Sequence, residues 1–208
     1  DPTVYGRDWY LDANNRKIGV RHYDPYDYLV KDVAVAQTHN VSVNGKSGKT
    51  TFNIGLGYLD QDGMNKAAKE DNFKRYNASI NLTTEFNKWI TLKAGAIYSK
   101  REKSYPYNAT GVFDPWYYCY RWSDIYPMGT DENGNELRSP ASEFSQANTA
   151  KMTRNYTNIN MGLHLNILKG WTADFDYSHA NQEYIWLRPG TRFTAADTWG
   201  GATPRLDA

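Results

Sequence analysis

Apolar and polar residues alternate along several long stretches of the chain. From His39 to Tyr58, apolar side chains fall on nearly every second position on both sides of a short polar turn. Successive residues of a β-strand point to opposite faces of the sheet, so the pattern predicts two strands, each with one apolar and one polar face. The polar face carries Asn, Ser, Gly and Thr rather than Lys and Glu, which is typical of a wall between lipid and a watery lumen. The first strand fits least well, because Gln37 and His39 share the parity of Val41 and Val43.

Four further segments repeat the alternation, so that about six strands are predicted over residues 35–183. The apolar positions of these segments are Tyr76, Ala78, Ile80 and Leu82; Ile90, Leu92, Ala94, Ala96 and Tyr98; Thr157, Ile159, Met161, Leu163, Leu165 and Ile167; and Trp171, Ala173, Phe175 and Tyr177. The charged residues Lys93, Asp174 and Asp176 all fall on the polar face. Because a cation at the lipid midplane costs roughly 2 to 4 kcal/mol and an acid somewhat less, this parity indicates that the apolar face meets lipid.

The predicted strands and their connections have the dimensions of an outer-membrane barrel. A tilted strand needs about 9 to 11 residues to cross the hydrocarbon layer, whereas globular strands are most often about five or six residues long. Short and long connections alternate: the short ones are 44–49, 85–88 and 168–170, and the long ones are 60–71, 101–152 and 184–208. The sequence therefore predicts an all-β fold, a transmembrane antiparallel β-barrel with periplasmic turns and extracellular loops. Residues 1–34 are expected to form an extracellular segment before the strands.

Aromatic residues stand near both ends of the predicted strands. Amphipathic rings prefer the two interfaces of a membrane, so these residues are candidate membrane-interface aromatics. The candidates are Phe86, Trp89 and Trp171 beside the short turns, and Tyr58, Tyr98 and Tyr177 toward the long loops. In the alternative interpretation, the same rings cover the core of a soluble protein.

Composition and charge restrict the classes of function that are expected for the chain. The mean hydropathy of −0.77 is compatible with a barrel, because only half the residues of each strand face lipid. The formal net charge of +1 gives no basic surface for nucleic acid. The four histidines are scattered without metal-ligand spacing, and no nucleophile has a plausible base beside it, so neither a metal, a cofactor nor an enzymatic activity is expected. Cys119 is the single cysteine and cannot form an internal disulfide.

Six strands do not make a complete barrel. Open edges leave backbone groups unpaired in hydrocarbon, so only closed barrels span membranes, and single-chain barrels begin at about eight strands. We therefore expect the 208 residues to be an internal piece of a larger barrel.

Several motifs over His39 to Tyr98 resemble one family closely. The motifs are Asn40-Val41-Ser42-Val43-Asn44-Gly45, Lys49-Thr50-Thr51-Phe52-Asn53, Gly57-Tyr58-Leu59-Asp60-Gln61-Asp62-Gly63, Phe73-Lys74-Arg75-Tyr76-Asn77, and Leu82-Thr83-Thr84 with Asn87-Lys88-Trp89. They resemble the SusC/RagA group of TonB-dependent transporters. The rest of the chain fits that group only by topology.

The resemblance implies a place and a role. Family members are barrels of twenty-two strands in the outer membrane of Gram-negative, Bacteroidetes-like bacteria. They import glycans, oligosaccharides or peptides with a SusD-like surface lipoprotein and draw energy through the TonB complex. For this chain the resemblance therefore implies outer-membrane lipid, a SusD-like lipoprotein, TonB and a glycan or peptide substrate as partners.

The long loop at 101–152 holds a dense group of rings that are candidate contacts to substrate or partner. They are Trp116, Tyr117, Tyr118, Tyr120 and Trp122. Flat, partly polar rings can stack on sugars or anchor a protein interface. Equally, they can fold the loop on itself or against a plug, since a loop of this length needs its own small core. Asn133-Gly134 predicts a hairpin tip within the loop.

Two other classes of function share parts of this pattern. A passive outer-membrane porin or structural barrel would show the same strands without a plug. A soluble secreted carbohydrate-binding β-protein would bury the apolar faces in a sandwich core instead of lipid.

Overall fold

The fold is dominated by a six-stranded antiparallel sheet whose strands follow one another in chain order. A computed structural model describes residues 5–14, 17–108, 114–124, 126–131, 134–196 and 202–206. In chain order the elements are β1 (Trp9–Leu11), β2 (Lys17–Gly19), α1 (Pro25–Leu29), β3 (Ala36–Ser47), β4 (Thr50–Asp62), β5 (Asn72–Glu85), β6 (Ile90–Tyr107), α2 (Pro115–Arg121), α3 (Pro140–Gln146), β7 (Asn148–Leu168), β8 (Trp171–Leu187), β9 (Arg192–Ala196) and β10 (Ala202–Leu206). Strands β3 to β8 form the sheet, which agrees with the predicted number and order.

The pairing register brings residues of like polarity into rows across the sheet. One row consists of Asn44, Asn53, Asn81, Gly95, Asn160 and Ser178, and the adjacent row consists of Val43, Ile54, Ile80, Ala96, Ile159 and His179. Since neighbouring rows point to opposite sides, the first belongs to what we term the polar face and the second to the apolar face. Along the polar row, Asn53 Nδ2 donates a hydrogen bond to Asn44 Oδ1.

Strands β6 and β7 are longer than the sequence pattern predicts, because backbone hydrogen bonds continue to pair them over the added length. Strand β6 extends to Tyr107 and β7 begins at Asn148, so the predicted loop 101–152 shortens to 108–147. The turn between β3 and β4 contains only Gly48 and Lys49, with Gly48 at φ 58°. The turn between β7 and β8 likewise ends on Gly170 at φ 82°, a left-handed conformation that favours glycine.

Three short helices form a small core outside the sheet. Buried Leu29 and Val30 pack with Phe144 of α3, and Tyr118 and Cys119 of α2 lie against them. Each helix starts with proline after a side chain that caps it: Asp24, Asp114 and Ser139 accept from backbone N–H groups of the first turn. Proline supplies the helical φ in advance, and the cap satisfies a free N–H, so local sequence sets all three starts.

Both flanking segments contain short elements that the alternation did not predict. Residues before Val35 include the antiparallel pair β1 and β2 as well as α1, where no strand was expected. The segment 184–208 holds the end of β8 and the antiparallel pair β9 and β10. Three-residue and five-residue strands are too short to show a period, which explains why the pattern missed them.

The predicted hairpin tip is described only in part. Asn133 lies outside the described residues. Beside it, Gly134 has φ 82°, Thr130 pairs with Glu136, and Asn135 N donates to Asp131 Oδ1 at 2.8 Å. The pairing of Thr130 with Glu136 agrees with a hairpin in this part of the loop.

No helix in the described ranges is long and apolar enough to cross a membrane.

Candidate functional site

Helix α2 carries the ring group that the sequence singled out. Trp116 and Tyr120 are exposed by 44% and 74%. Tyr117, Tyr118 and Trp122 are half-buried. A seven-residue helix turns consecutive side chains by about 100°, so the five rings cannot share one surface. The group therefore divides into exposed and packed members.

The packed members build the loop. The Tyr118 ring meets Phe144 edge to face at 5.8 Å between centroids, and Trp122 meets Tyr126 at 5.7 Å. Burial raises the pKa of the Cys119 thiol above its ordinary value, and the charges of Asp24 and Asp114 act in the same direction. Tyr118 and Cys119 thus belong to the small core, as the alternative interpretation of the ring group predicts for part of it.

The exposed ring of Trp116 lines an open cavity of about 850 Å³ at the loop end of the sheet. Other lining residues come from strands β4 to β8 and from the 63–71 connection. They include Phe73, Lys103, Met152, Trp186, Met64 and Asn65. Among the predicted contact residues, Trp116 alone lines this cavity in the described part of the chain.

A pair of rings that the sequence reasoning missed supports the cavity wall. Trp186 Nε1 donates a hydrogen bond to Tyr105 Oη at 2.6 Å. The Arg188 guanidinium lies 4.2 Å from the Trp186 ring centroid, and Lys103 Nζ lies 5.3 Å from that of Tyr105. Trp186 continues the polar parity of β8 beyond residue 183, and extending that alternation by three residues would have found it. Rings held beside cations in this way form a rigid surface that can stack on a flat ligand.

The predicted membrane-interface aromatics lie in the sheet or in its short turns, and all of them except the half-buried Tyr58 have exposed side chains. Phe86, Trp89 and Trp171 stand at the short turns and are exposed by 60%, 68% and 71%. Tyr58 stacks with His39 at 6.3 Å and packs against Tyr76 at 5.2 Å, which explains why His39 shares the apolar parity.

Two of the predicted interface residues are placed differently from the expectation. Tyr98 and Tyr177 were expected near strand ends beside the long loops. They lie within β6 and β8, because those strands continue to Tyr107 and Leu187. Both face the apolar side of the sheet, exposed by 41% and 63%.

Two histidines each pair with one aspartate. His164 Nδ1 lies 2.7 Å from Asp174 Oδ1, and His22 Nδ1 lies 2.7 Å from Asp124 Oδ2. Within the described ranges no three such side chains converge to hold a metal ion.

Comparison with known proteins gives one partial similarity. No family model matches the chain. The chain is similar to the TonB-dependent receptor SusC of Bacteroides thetaiotaomicron, with 32% identity over 83 residues. The match covers 40% of this chain and 8% of the length of that relative. It agrees with the resemblance of the sequence motifs to SusC/RagA transporters and with the expectation that the chain is no enzyme.

Proposed function

We propose that the chain is part of an outer-membrane active transporter that imports a glycan, oligosaccharide or peptide. In this proposal a SusD-like lipoprotein assists capture at the cell surface, and TonB supplies the energy. The protein would reside in the outer membrane of a Gram-negative, Bacteroidetes-like bacterium. The similarity to a TonB-dependent receptor supports the class of function.

One observation carries the membrane part of the proposal: long strands leave an apolar face uncovered. The strands of the sheet have 12 to 21 residues. On the apolar face, Leu56, Ile159 and Phe175 are exposed by 57%, 43% and 62% among the described residues. Soluble monomers rarely leave so large an apolar surface open, whereas a barrel buries it in lipid.

The stagger of the short turns supports tilted barrel strands. Ser47, Thr50, Thr84, Leu92, Leu163 and Phe175 form one continuous row across the sheet. Strand β3 ends in this row at Ser47, whereas β7 continues beyond it to Leu168. The shift is about one residue per strand, which corresponds to a tilt of roughly 35° for strands about 4.8 Å apart, within the range of membrane barrels.

Two measurements on the complete protein that carries this chain test the proposal. Cells that use it for growth should lose uptake of the nutrient when TonB is depleted or a protonophore dissipates the membrane potential. Uptake that persists would favour a passive porin. The protein should also require detergent for extraction, and a folded monomer in aqueous buffer would favour the soluble carbohydrate-binding alternative.

A further inference from the structure

Three arginines stand side by side on the polar face of the sheet. The register pairs Arg75 of β5 with Arg101 of β6, and Arg101 with Arg154 of β7. Like charges directly opposite each other destabilise a sheet. An arrangement repeated over three neighbouring strands therefore calls for a negative partner.

No carboxylate occupies this part of the polar face. The arginine row continues to Thr38 and Leu59 on one side and to Tyr184 on the other. The next polar-face row toward the turns runs Asn40, Gly57, Asn77, Ser99, Tyr156 and Gln182, and the next one toward the loops runs Gln61, Phe73, Lys103, Met152 and Trp186. The second of these rows adds a fourth cation, Lys103.

Two lysines on the apolar face of the same strands are paired instead. Lys74 Nζ lies 3.8 Å from Asp60 Oδ2, and Lys100 Nζ lies 2.8 Å from Glu102 Oε1. Each of these lysines directly precedes an arginine of the row in sequence. Among the described residues, none of the three arginines has an ion-pair partner, and the buried Arg75 Nε has no hydrogen-bond acceptor. The structure thus pairs Lys74 and Lys100 on one face and leaves the neighbouring arginines available on the other.

The arginine row adjoins the open cavity. Phe73, Lys103, Met152 and Trp186, two residues farther along their strands, line it. The Arg154 guanidinium is held 5.0 Å from the Tyr184 ring centroid. Three carboxylates also line the cavity, those of Asp62, Asp71 and Asp114. Asp71 accepts from the Asn65 N–H at 3.0 Å and Asp114 accepts from the Trp116 N–H at 2.9 Å, so both hold loop backbone.

We propose that the row of Arg75, Arg101 and Arg154, with Lys103 and the rings of Tyr184 and Trp186 beside it, binds an acidic oligosaccharide through carboxylate or sulfate groups. This inference rests on the proposed function and names the substrate class. Guanidinium groups pair with carboxylates, and with tetrahedral oxyanions such as phosphate, through two parallel hydrogen bonds. Neighbouring aromatic rings offer flat apolar surfaces for the sugar rings between the charged groups. Strand spacing places the outer two arginines about 10 Å apart, which suits a chain with several anionic groups.

The test measures binding to the purified complete protein in detergent by titration calorimetry. The probes are tetragalacturonate, its methyl ester, and a carrageenan tetrasaccharide, which carries sulfate groups and no carboxylate. We expect at least one anionic probe to bind about tenfold or more tightly than the neutral ester, with an affinity that falls as salt is raised. The carboxylate and sulfate probes distinguish the two sources of charge. Equal affinity for charged and neutral probes, or binding of neither anionic probe, would overturn the inference.

Variants assign the effect to the row. Arg101→Gln and Arg154→Gln should each weaken anionic-probe binding about tenfold, whereas Arg101→Lys should retain part of it. Lys100→Gln, which removes the adjacent cation on the apolar face, should leave affinity unchanged. If Arg101→Gln lowers thermal stability but not affinity, the row pairs with carboxylates of another protein segment and the inference is wrong. Because calorimetry requires neither TonB nor uptake, failure here is distinguishable from failure of the proposed transport.

Discussion

Gly95 on β6 lies directly opposite Asn160 on β7, in the middle of the polar face. A Cβ atom on Gly95 would stand 2.5 Å from Asn160 Oδ1 and 2.8 Å from Asn81 Oδ1. The two amide side chains therefore converge over the one position in the row that has no side chain. Because Gly95 has no side chain, the amides of Asn81 and Asn160 have room above β6, and the polar row continues across β5, β6 and β7.

Substituting Gly95→Val should destabilise the sheet by roughly 1 to 3 kcal/mol, because the added carbons displace both amides. Reversible unfolding of the complete protein in bilayers measures the change. In an Asn160→Ala background the same substitution should cost clearly less, since one of the two close neighbours is gone. Equal costs in both backgrounds would show that the contact between Gly95 and Asn160 is not the cause.

The assignment of faces predicts opposite outcomes for neighbouring residues. Replacing Ile80 with Arg places a cation on the apolar face in mid-strand and should cost about 2 to 4 kcal/mol if that face meets lipid. Replacing Asn81 with Arg places the same charge on the polar face and should cost much less. Unfolding in bilayers measures both costs. A second pair of substitutions, Leu163→Arg on the apolar face and Asn158→Arg on the polar face, repeats the comparison on β7. Similar costs within both pairs would contradict the assignment of the apolar face to lipid.

The proposed barrel topology also predicts the side of the membrane on which each turn lies. Epitope tags inserted at Gly48 or Gly170 should be hidden on intact cells, because the proposal places these two turns in the periplasm. A tag beside Gly134, in the connection 108–147, should be labelled by antibody on the cell surface. Permeabilised cells provide the control, since all three tags should then be accessible. Surface labelling at Gly48 without labelling at Gly134 would invert the proposed orientation.

The Cys119 thiol, on helix α2 in the connection between β6 and β7, should react slowly with maleimide. Its pKa is raised by burial against the helical core, so less thiolate is present at neutral pH, and the rate of maleimide labelling should rise as the pH is raised above neutral. A Tyr120→Cys variant in a Cys119→Ser background provides the control, because position 120 is 74% exposed. Equal rates at the two positions at pH 7 would show that the small core is open.

How far the sequence predicts this molecule depends on the range of the interactions. Alternation assigns Asn81 and Ile80 to opposite faces because a strand's period is local. The Asp-Pro and Ser-Pro pairs at Asp24, Asp114 and Ser139 are also local, and they would have predicted the three helices. The adjacency of Arg75, Arg101 and Arg154 is different in kind. The face on which each arginine lies can be predicted from the alternation within its own strand. Their alignment across three strands depends on the turn lengths, which set the register between strands.

For the ring group, too, the local sequence predicts only part of the arrangement. The composition of 116–122 predicts a ring-rich surface, but only tertiary packing decides that Tyr118 meets Phe144 while Tyr120 stays exposed. The cavity depends on residues from five strands and two connections, so no local pattern could have outlined it.

The divided ring group gives the last prediction, which separates binding from folding. Trp116→Ala should weaken capture or uptake of the nutrient, because Trp116 is exposed and lines the cavity, and an aromatic anchor can contribute about 2 kcal/mol or more at an interface. The abundance of the protein in the outer membrane should remain normal, since the ring lies outside the buried core. Tyr118→Ala is the matched control on the same helix: it should loosen the core around Phe144 and speed maleimide labelling of Cys119. Growth on the nutrient, outer-membrane abundance and retention of a co-purifying lipoprotein are measured in parallel for both variants. Normal growth and retention with Trp116→Ala at normal abundance would show that the exposed ring has no role in capture, and a drop in abundance equal to any drop in growth would assign Trp116 to folding.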